Sequence, residues 1–353
     1  ESLQNSLPHA PVYGIVVQPR FSDLVIATYG RGFWIMDDMT PLRTAADVAS
    51  QDVSLFTPRA AYRFRDAEAP YAVVADPSAG NNPKYGASLH YWLREDAKDS
   101  VKVELVDATG AVVRTLKAAG KAGINRVQWD LRSEQTKEAR IRVSPQYSAW
   151  FTVPPDGRPA PGVGRLSRLV LPGTYTVRLT AAGKTLTQPL EVLVDPSSRA
   201  SMADLRAQDA VVRALMAELD SAVTTIARVE TARAQLATAR VALAADSTAK
   251  DLLAATDSID ARLAALETQV FQIRVTGRGQ DQLRWPQGIA EKLGYLAGSV
   301  MSSDNAPTDA EREVQGVLKQ RLDDVRGRID AMLKAEFENL KQRLRDRNIT
   351  VIL

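Results

Sequence analysis

With 353 residues the chain is long enough for two or three domains with real cores. Its 45 Lys and Arg against 42 Asp and Glu are spread without a basic block, which argues against a nucleic-acid partner. The absence of Cys excludes disulfides, thiolate catalysis and Cys-ligated zinc or iron–sulfur sites.

No apolar run approaches the roughly 20 residues that span a bilayer, so a soluble or membrane-extrinsic protein is expected. No charged-then-apolar signal segment opens the chain, and a start at Glu1 rather than Met is read as the mark of a processed product. In chain order, Val12 to Val17, Leu24 to Tyr29 and Phe33 to Asp37 are short strands, separated by Gln18-Pro19-Arg20 and by Gly30-Arg31-Gly32. Their spacing predicts a meander.

The stretch Asp23-Leu24-Val25-Ile26-Ala27-Thr28-Tyr29-Gly30-Arg31-Gly32-Phe33-Trp34-Ile35-Met36-Asp37-Asp38, followed by Pro41-Leu42-Arg43, resembles the end of the propeller in bacterial sortilin-like (VPS10-like) proteins with BNR-type repeats. Gly123 to Arg132, Pro172 to Leu179, and Arg284-Trp285-Pro286 leading to Ala306-Pro307-Thr308 are similar to the post-propeller region of that family. The propeller itself lies outside this chain, and with it any ligand site at the propeller centre. The family is often labelled glycosyl hydrolase. The resemblance makes residues 1–50 propeller-type strands, whose unpaired edges and apolar residues Val16, Ile26 and Trp34 are then expected to be exposed unless a partner or the next domain covers them.

Between Ser54 and Val194 strand signals recur at Ser88 to Leu93, Val101 to Val106, Val112 to Leu116, Ile124 to Leu131, Thr174 to Thr180 and Leu186 to Val194. Asp107-Ala108-Thr109-Gly110 and Ala181-Ala182-Gly183-Lys184 read as hairpin turns. In Gly123 to Arg132 the residues Val127, Trp129 and Leu131 sit two apart on one pleated face, which makes Trp129 a main core filler. Residues 51–198 are therefore expected to form an antiparallel, Ig-like β-sandwich. It would carry a Pro- and Gly-rich loop over 133–168, with Trp150 and Phe151 as candidate partner contacts.

Composition changes near Pro196: 17 of the 21 aromatic residues and 16 of the 18 prolines lie before Arg199, and Ala, Leu, Arg, Asp and Glu dominate after it. The period then becomes about 3.6. Leu205, Val212, Leu215, Leu219, Val223, Ile226, Val229 and Leu236 stripe a helix from about Arg199 to Ala244, on the order of 65 Å long. Leu252 to Ile273 and Ile289 to Val300 carry two more stripes. Leu318 to Leu344 carries a fourth, opened by Thr308 as N-cap. Residues 199–353 should thus pack as an antiparallel long-helix bundle, which gives an α+β multidomain protein.

Chemistry is sparse. His9 and His90 have no metal partner at helix or strand spacing, and His90 reads as a structural strand residue. Asp37-Asp38 is either an acid pair of the glycosidase type or a turn at a strand end; no second carboxylate cluster accompanies it. Thr276-Gly277-Arg278-Gly279 lacks the third glycine of a phosphate loop and follows a helix, so it reads as an inter-helix loop. Arg343, Arg345 and Arg347 suit a helix C-terminus, or else an anionic lipid or acidic partner.

No catalytic residue, metal or cofactor is expected. The expected function is a non-catalytic extracytoplasmic scaffold in the periplasm or outside the cell. Its partners would be other protein subunits, as for an extrinsic subunit of a bacterial membrane complex such as a photosynthetic reaction centre with its antenna, or a respiratory complex. The alternative implied by the resemblance is an accessory carbohydrate-binding region of a glycosyl hydrolase-like protein.

Overall fold

A computed structural model describes residues 7–65, 80, 83–143, 152–160, 164–274 and 285–347. The chain divides into two compact units, residues 1–134 with 169–198 and residues 135–168 with 199–353.

The first unit opens with β1 (Val12–Gln18), β2 (Asp23–Thr28) and β3 (Phe33–Met36), an antiparallel meander in that spatial order. Gly30 and Gly32, at φ 70° and 71°, make the β2–β3 turn in a region that most side chains avoid. Two single-turn helices, α1 (Thr40–Arg43) and α2 (Ala45–Val48), follow. The next strands are β4 (Val53–Leu55), β5 (Ala61–Arg63), β6 (Ala87–Leu93), β7 (Val101–Val106), β8 (Val112–Ala118) and β9 (Gly123–Trp129). After the chain visits the second unit, where it forms β10 (Arg140–Ile141) and β11 (Arg158–Pro159), it returns as β12 (Gly173–Ala181) and β13 (Lys184–Val194).

These strands make a three-stranded antiparallel sheet, β4-β6-β9, and a five-stranded sheet, β5-β13-β12-β7-β8, in which only β5 and β13 run parallel. Leu89, Tyr91 and Trp129 of the first sheet join Val103, Leu105, Val177, Leu179 and Leu190 of the second in one buried cluster. Period-two alternation has thus put the apolar faces of both sheets into one core. Trp129 is fully buried, meets the Tyr175 ring edge-on at 5.5 Å, and donates its indole N–H to the Arg132 carbonyl at 2.9 Å. Leu131 is also core, but it lies beyond the strand at φ 56°, so the chain has already turned and Leu131 reaches the core from a bend.

Both expected hairpin turns form. Asp107 donates its backbone N–H to the Ala111 carbonyl and accepts from the Gly110 N–H, and its carboxylate also accepts from the Thr109 and Ala111 N–H groups. Ala182 and Gly183, at φ 49° and 70°, close β12 onto β13 in a two-residue loop whose twist suits a hairpin.

In the second unit, α3 (Met202–Ala244) starts at a capping box between Ser201 and Asp204. It is followed by α4 (Lys250–Val270), α5 (Ile289–Val300) and α6 (Asp309–Met332), the last capped reciprocally by Thr308 and Glu311. A π-helical turn at Leu333–Phe337 connects α6 to α7 (Glu338–Asp346). The stripes Leu205 to Leu236 and Leu318 to Leu344 are buried as their spacing requires, and α3 packs against α4, α5 and α6.

The boundaries differ from those expected at 1–50, 51–198 and 199–353. The opening strands belong to the same compact unit as the two sheets, and residues 135–168 belong with the helices. Apolar side chains of the segment explain the second change: Ala139, Ile141 and Ala160 lie in the helical core. Polar groups fix it further. The Arg142 and Val143 N–H groups donate to the buried Glu230 carboxylate of α3 at 2.6 and 2.8 Å, and Arg168 pairs with Asp209 at 2.6 Å with both side chains buried. What reads as a loop contributes, where described, the side chains of Ala139, Ile141 and Ala160 to the core of the helical unit.

Candidate interaction surface

Of the sixteen large apolar residues that are exposed among the described residues, eight fall between Val12 and Ile35. That density, in a strand pattern, singles out the opening meander. Directly paired residues share a face, so Val16, Val25 and Ile35 point one way, and Ile15, Ile26 and Trp34 the other. Val16 and Ile35 are each 63% exposed and Phe33, two residues from Ile35 on the same face, is 78% exposed. The Tyr13 and Tyr29 rings, both exposed, lie 5.4 Å apart and are tilted by 52° to each other.

Val16 therefore lies exposed, as expected. Ile26 does not: it is 8% exposed, because it occupies the middle strand between Ile15 and Trp34. Trp34 is half-buried and donates its indole N–H to the Arg31 carbonyl at 3.0 Å. The residues missed from sequence are Phe33, Ile35 and Tyr13, and the signal was present. A four-residue strand that is apolar throughout cannot hide both of its faces in a three-stranded sheet. Trp150 and Phe151 lie outside the described residues.

The other singled-out residues have structural places. Asp38 is buried at φ 52°; its N–H donates to the Asp23 carboxylate at 2.9 Å, and its own carboxylate accepts from the Thr40 N–H at 3.2 Å. That is a turn built on two aspartates. Burial, opposed by the nearby Asp38 charge and reinforced by repulsion from Arg126 and Arg59, lowers the pKa of His90 and favours its neutral ring. Arg343 and Arg347 both reach Asp251 of α4, at 2.8 and 3.3 Å. Thr276 to Gly279 lie outside the described residues. Among the described residues no group of three or more His, Asp or Glu could hold a metal ion, and no helix is long and apolar enough to cross a membrane.

No protein-family profile matches the chain, and neither a curated protein nor a solved structure is found to match it.

Proposed function

We propose that the chain is a non-catalytic scaffold that holds other protein subunits together through its opening meander. The observation that carries this reading is the concentration of exposed apolar side chains on β1 and β3, both of them edge strands. Exposed apolar patches with unpaired strand edges are sites of association. On this reading the finer architecture is an Ig-like β-sandwich and an antiparallel long-helix bundle, two rigid bodies that offer surface. The resemblance to the post-propeller region of sortilin-like proteins supplies an extracytoplasmic setting. An extrinsic subunit of a bacterial membrane assembly, such as a photosynthetic reaction centre with its antenna, suits a chain with surface to share.

The test is purification of the native protein from solubilised membranes, with identification of the subunits that travel with it. Phe33→Asp with Ile35→Asp should release those subunits while leaving the circular dichroism spectrum unchanged, since both residues are exposed. Recovery of the unaltered chain only as a free monomer, or full retention of the partners by the double variant, would overturn the proposal.

A further inference from the structure

A cavity of about 460 Å³ lies in the helical unit beside the end of α4, between the first turn of α5 and α6. Four cationic side chains line it: Arg274, which follows α4, Lys292 of α5, and Arg321 and Arg328 of α6. The lining holds a single carboxylate, Asp324. Asp324 lies three residues after Arg321 and four before Arg328, spacings at which helical side chains ordinarily pair. Its neighbour Asp323 does pair, with Lys319 at 2.6 Å and with Arg326 at 3.3 Å. Among the described residues, by contrast, neither Asp324 nor any of the four cations forms an ion pair.

The cations are both reachable and, in one case, held in position. Lys292, Arg321 and Arg328 are exposed. Lys292 and Arg321 make no side-chain hydrogen bond among the described residues, and Arg328 reaches only the neutral Gln269 amide oxygen, at 3.4 Å. Arg274 donates its Nε–H to the Gln272 side-chain oxygen at 2.9 Å, and its guanidinium lies 4.8 Å from the centre of the Trp285 ring. Gln272 is itself buried and fixed, its backbone N–H donating to the Glu291 carboxylate at 2.8 Å and its amide to the Pro286 carbonyl at 2.9 Å. The terminal nitrogens of Arg274 are thereby aimed without being used.

Like charges gathered around one cavity repel, and an anion placed among them removes that repulsion. A lone carboxylate brings one charge and two oxygens, too few for four cations. A phosphate group brings about two charges and three acceptor oxygens, which guanidinium forks and an ammonium can share. We infer that this cavity binds a phosphate group, carried either by a soluble phosphorylated compound or by a phospholipid headgroup. The inference does not rest on the scaffold reading, whose surface is the opening meander.

The experiment titrates inorganic pyrophosphate into the full chain at low salt and follows the heat of binding, beside citrate, which carries a similar charge on carboxylates. In a second arm the chain is sedimented with vesicles of phosphatidylcholine, with and without phosphatidic acid. Saturable binding of pyrophosphate, tighter than that of citrate, is expected. Lys292→Glu with Arg321→Glu should weaken it roughly tenfold or more, whereas the charge-matched Arg206→Glu with Lys250→Glu, outside the cavity, should change it less than about twofold. All four side chains are exposed and make no side-chain bond among the described residues, so both double variants should keep the melting temperature of the parent. Sedimentation with the phosphatidic acid vesicles that pyrophosphate competes away, and that the first double variant loses, assigns the phosphate to a lipid headgroup. Pyrophosphate binding without such sedimentation assigns it to a soluble compound. Equal weakening by both double variants would reduce the effect to net charge and overturn the site. Citrate binding as tight as that of pyrophosphate would overturn the choice of phosphate, and absence of saturable pyrophosphate binding would overturn the proposal outright. Phe33→Asp with Ile35→Asp should leave pyrophosphate binding intact, so this site and the scaffold reading can fail separately.

Discussion

At the scale of single residues, the most consequential group is the buried Glu267 of α4. It pairs with Arg233 at 2.8 Å, and Arg233 also holds Asp260. Burial, and then the neighbouring Glu230, raise the Glu267 pKa well above 4.5, with Arg233 opposing and the buried Arg158 adding positive charge nearby. The folded chain therefore keeps a proton that the unfolded chain releases near its ordinary value. In the window above 4.5 the folded state binds more protons, so this group's contribution to stability falls as pH rises, by up to about 1.4 kcal/mol per pH unit for one proton. Glu267→Gln has no proton to release. Its stability, measured by urea unfolding between about pH 5 and about pH 7, should vary less with pH than that of the parent. An unchanged slope would show that Glu267 is ionised in the fold. None of this is legible in sequence, because Glu230, Glu267 and Arg158 come from three distant stretches. Trp129, by contrast, is legible at once: its alternating neighbours fix the face, and its size leaves no other place for it.

At the scale of elements, periodicity is readable wherever an element is long enough to repeat. Seven residues of β6 or forty-three of α3 carry their own pattern, whereas the three of β5 do not, since its partner β13 lies far along the chain. The π-helical turn is an intermediate case. The stripe Leu318, Leu322, Val325, Ile329, Met332 advances by four and three in turn, and then jumps by five to Phe337 before Leu340 and Leu344 resume. A jump of five on one face requires one extra residue in a turn, which is a π bulge. Deleting Ala335 restores a spacing of four and should turn the segment into continuous α-helix with the stripe still in phase. Helical content should be retained, and stability should shift by less than about 1.5 kcal/mol. Inserting an alanine after Ala335 instead should rotate Phe337, Leu340 and Leu344 by about 100° and lower the melting temperature sharply. Equal melting temperatures for the two variants would mean that the stripe does not set the phase.

At the scale of the whole molecule, the chain leaves the first unit after Glu134, contributes residues 135–168 to the helical unit, and returns at Leu169 before leaving again after Ser198. A composition boundary near Pro196 cannot reveal this, because Pro and Gly mark the segment as irregular, and irregular backbone carries no period even where it is core. The contacts that place it are sparse but deep. Ile141 is 1% exposed, Ala139 is 1% exposed, and Glu230, itself inaccessible, accepts two backbone N–H groups from Arg142 and Val143. The Thr136 N–H and Leu166 carbonyl also pair at 2.8 Å and close the segment at its base. Replacing residues 137–166 by a flexible Gly-Ser linker of equal length should therefore act on the helical unit. It removes the buried Ile141, whose truncation alone costs roughly 2 to 5 kcal/mol, and leaves the Glu230 carboxylate buried without its donors. The helical unit should melt well below its normal temperature and lose amide-exchange protection in α3 around Glu230. The two sheets should keep the near-ultraviolet signal of the Trp129 and Tyr175 pair, since no residue of that core comes from the replaced segment. An unaltered helical melt would show that the segment only rests on the helices. Loss of the Trp129 signal would instead mean that folding of the sheets requires the segment to be in place.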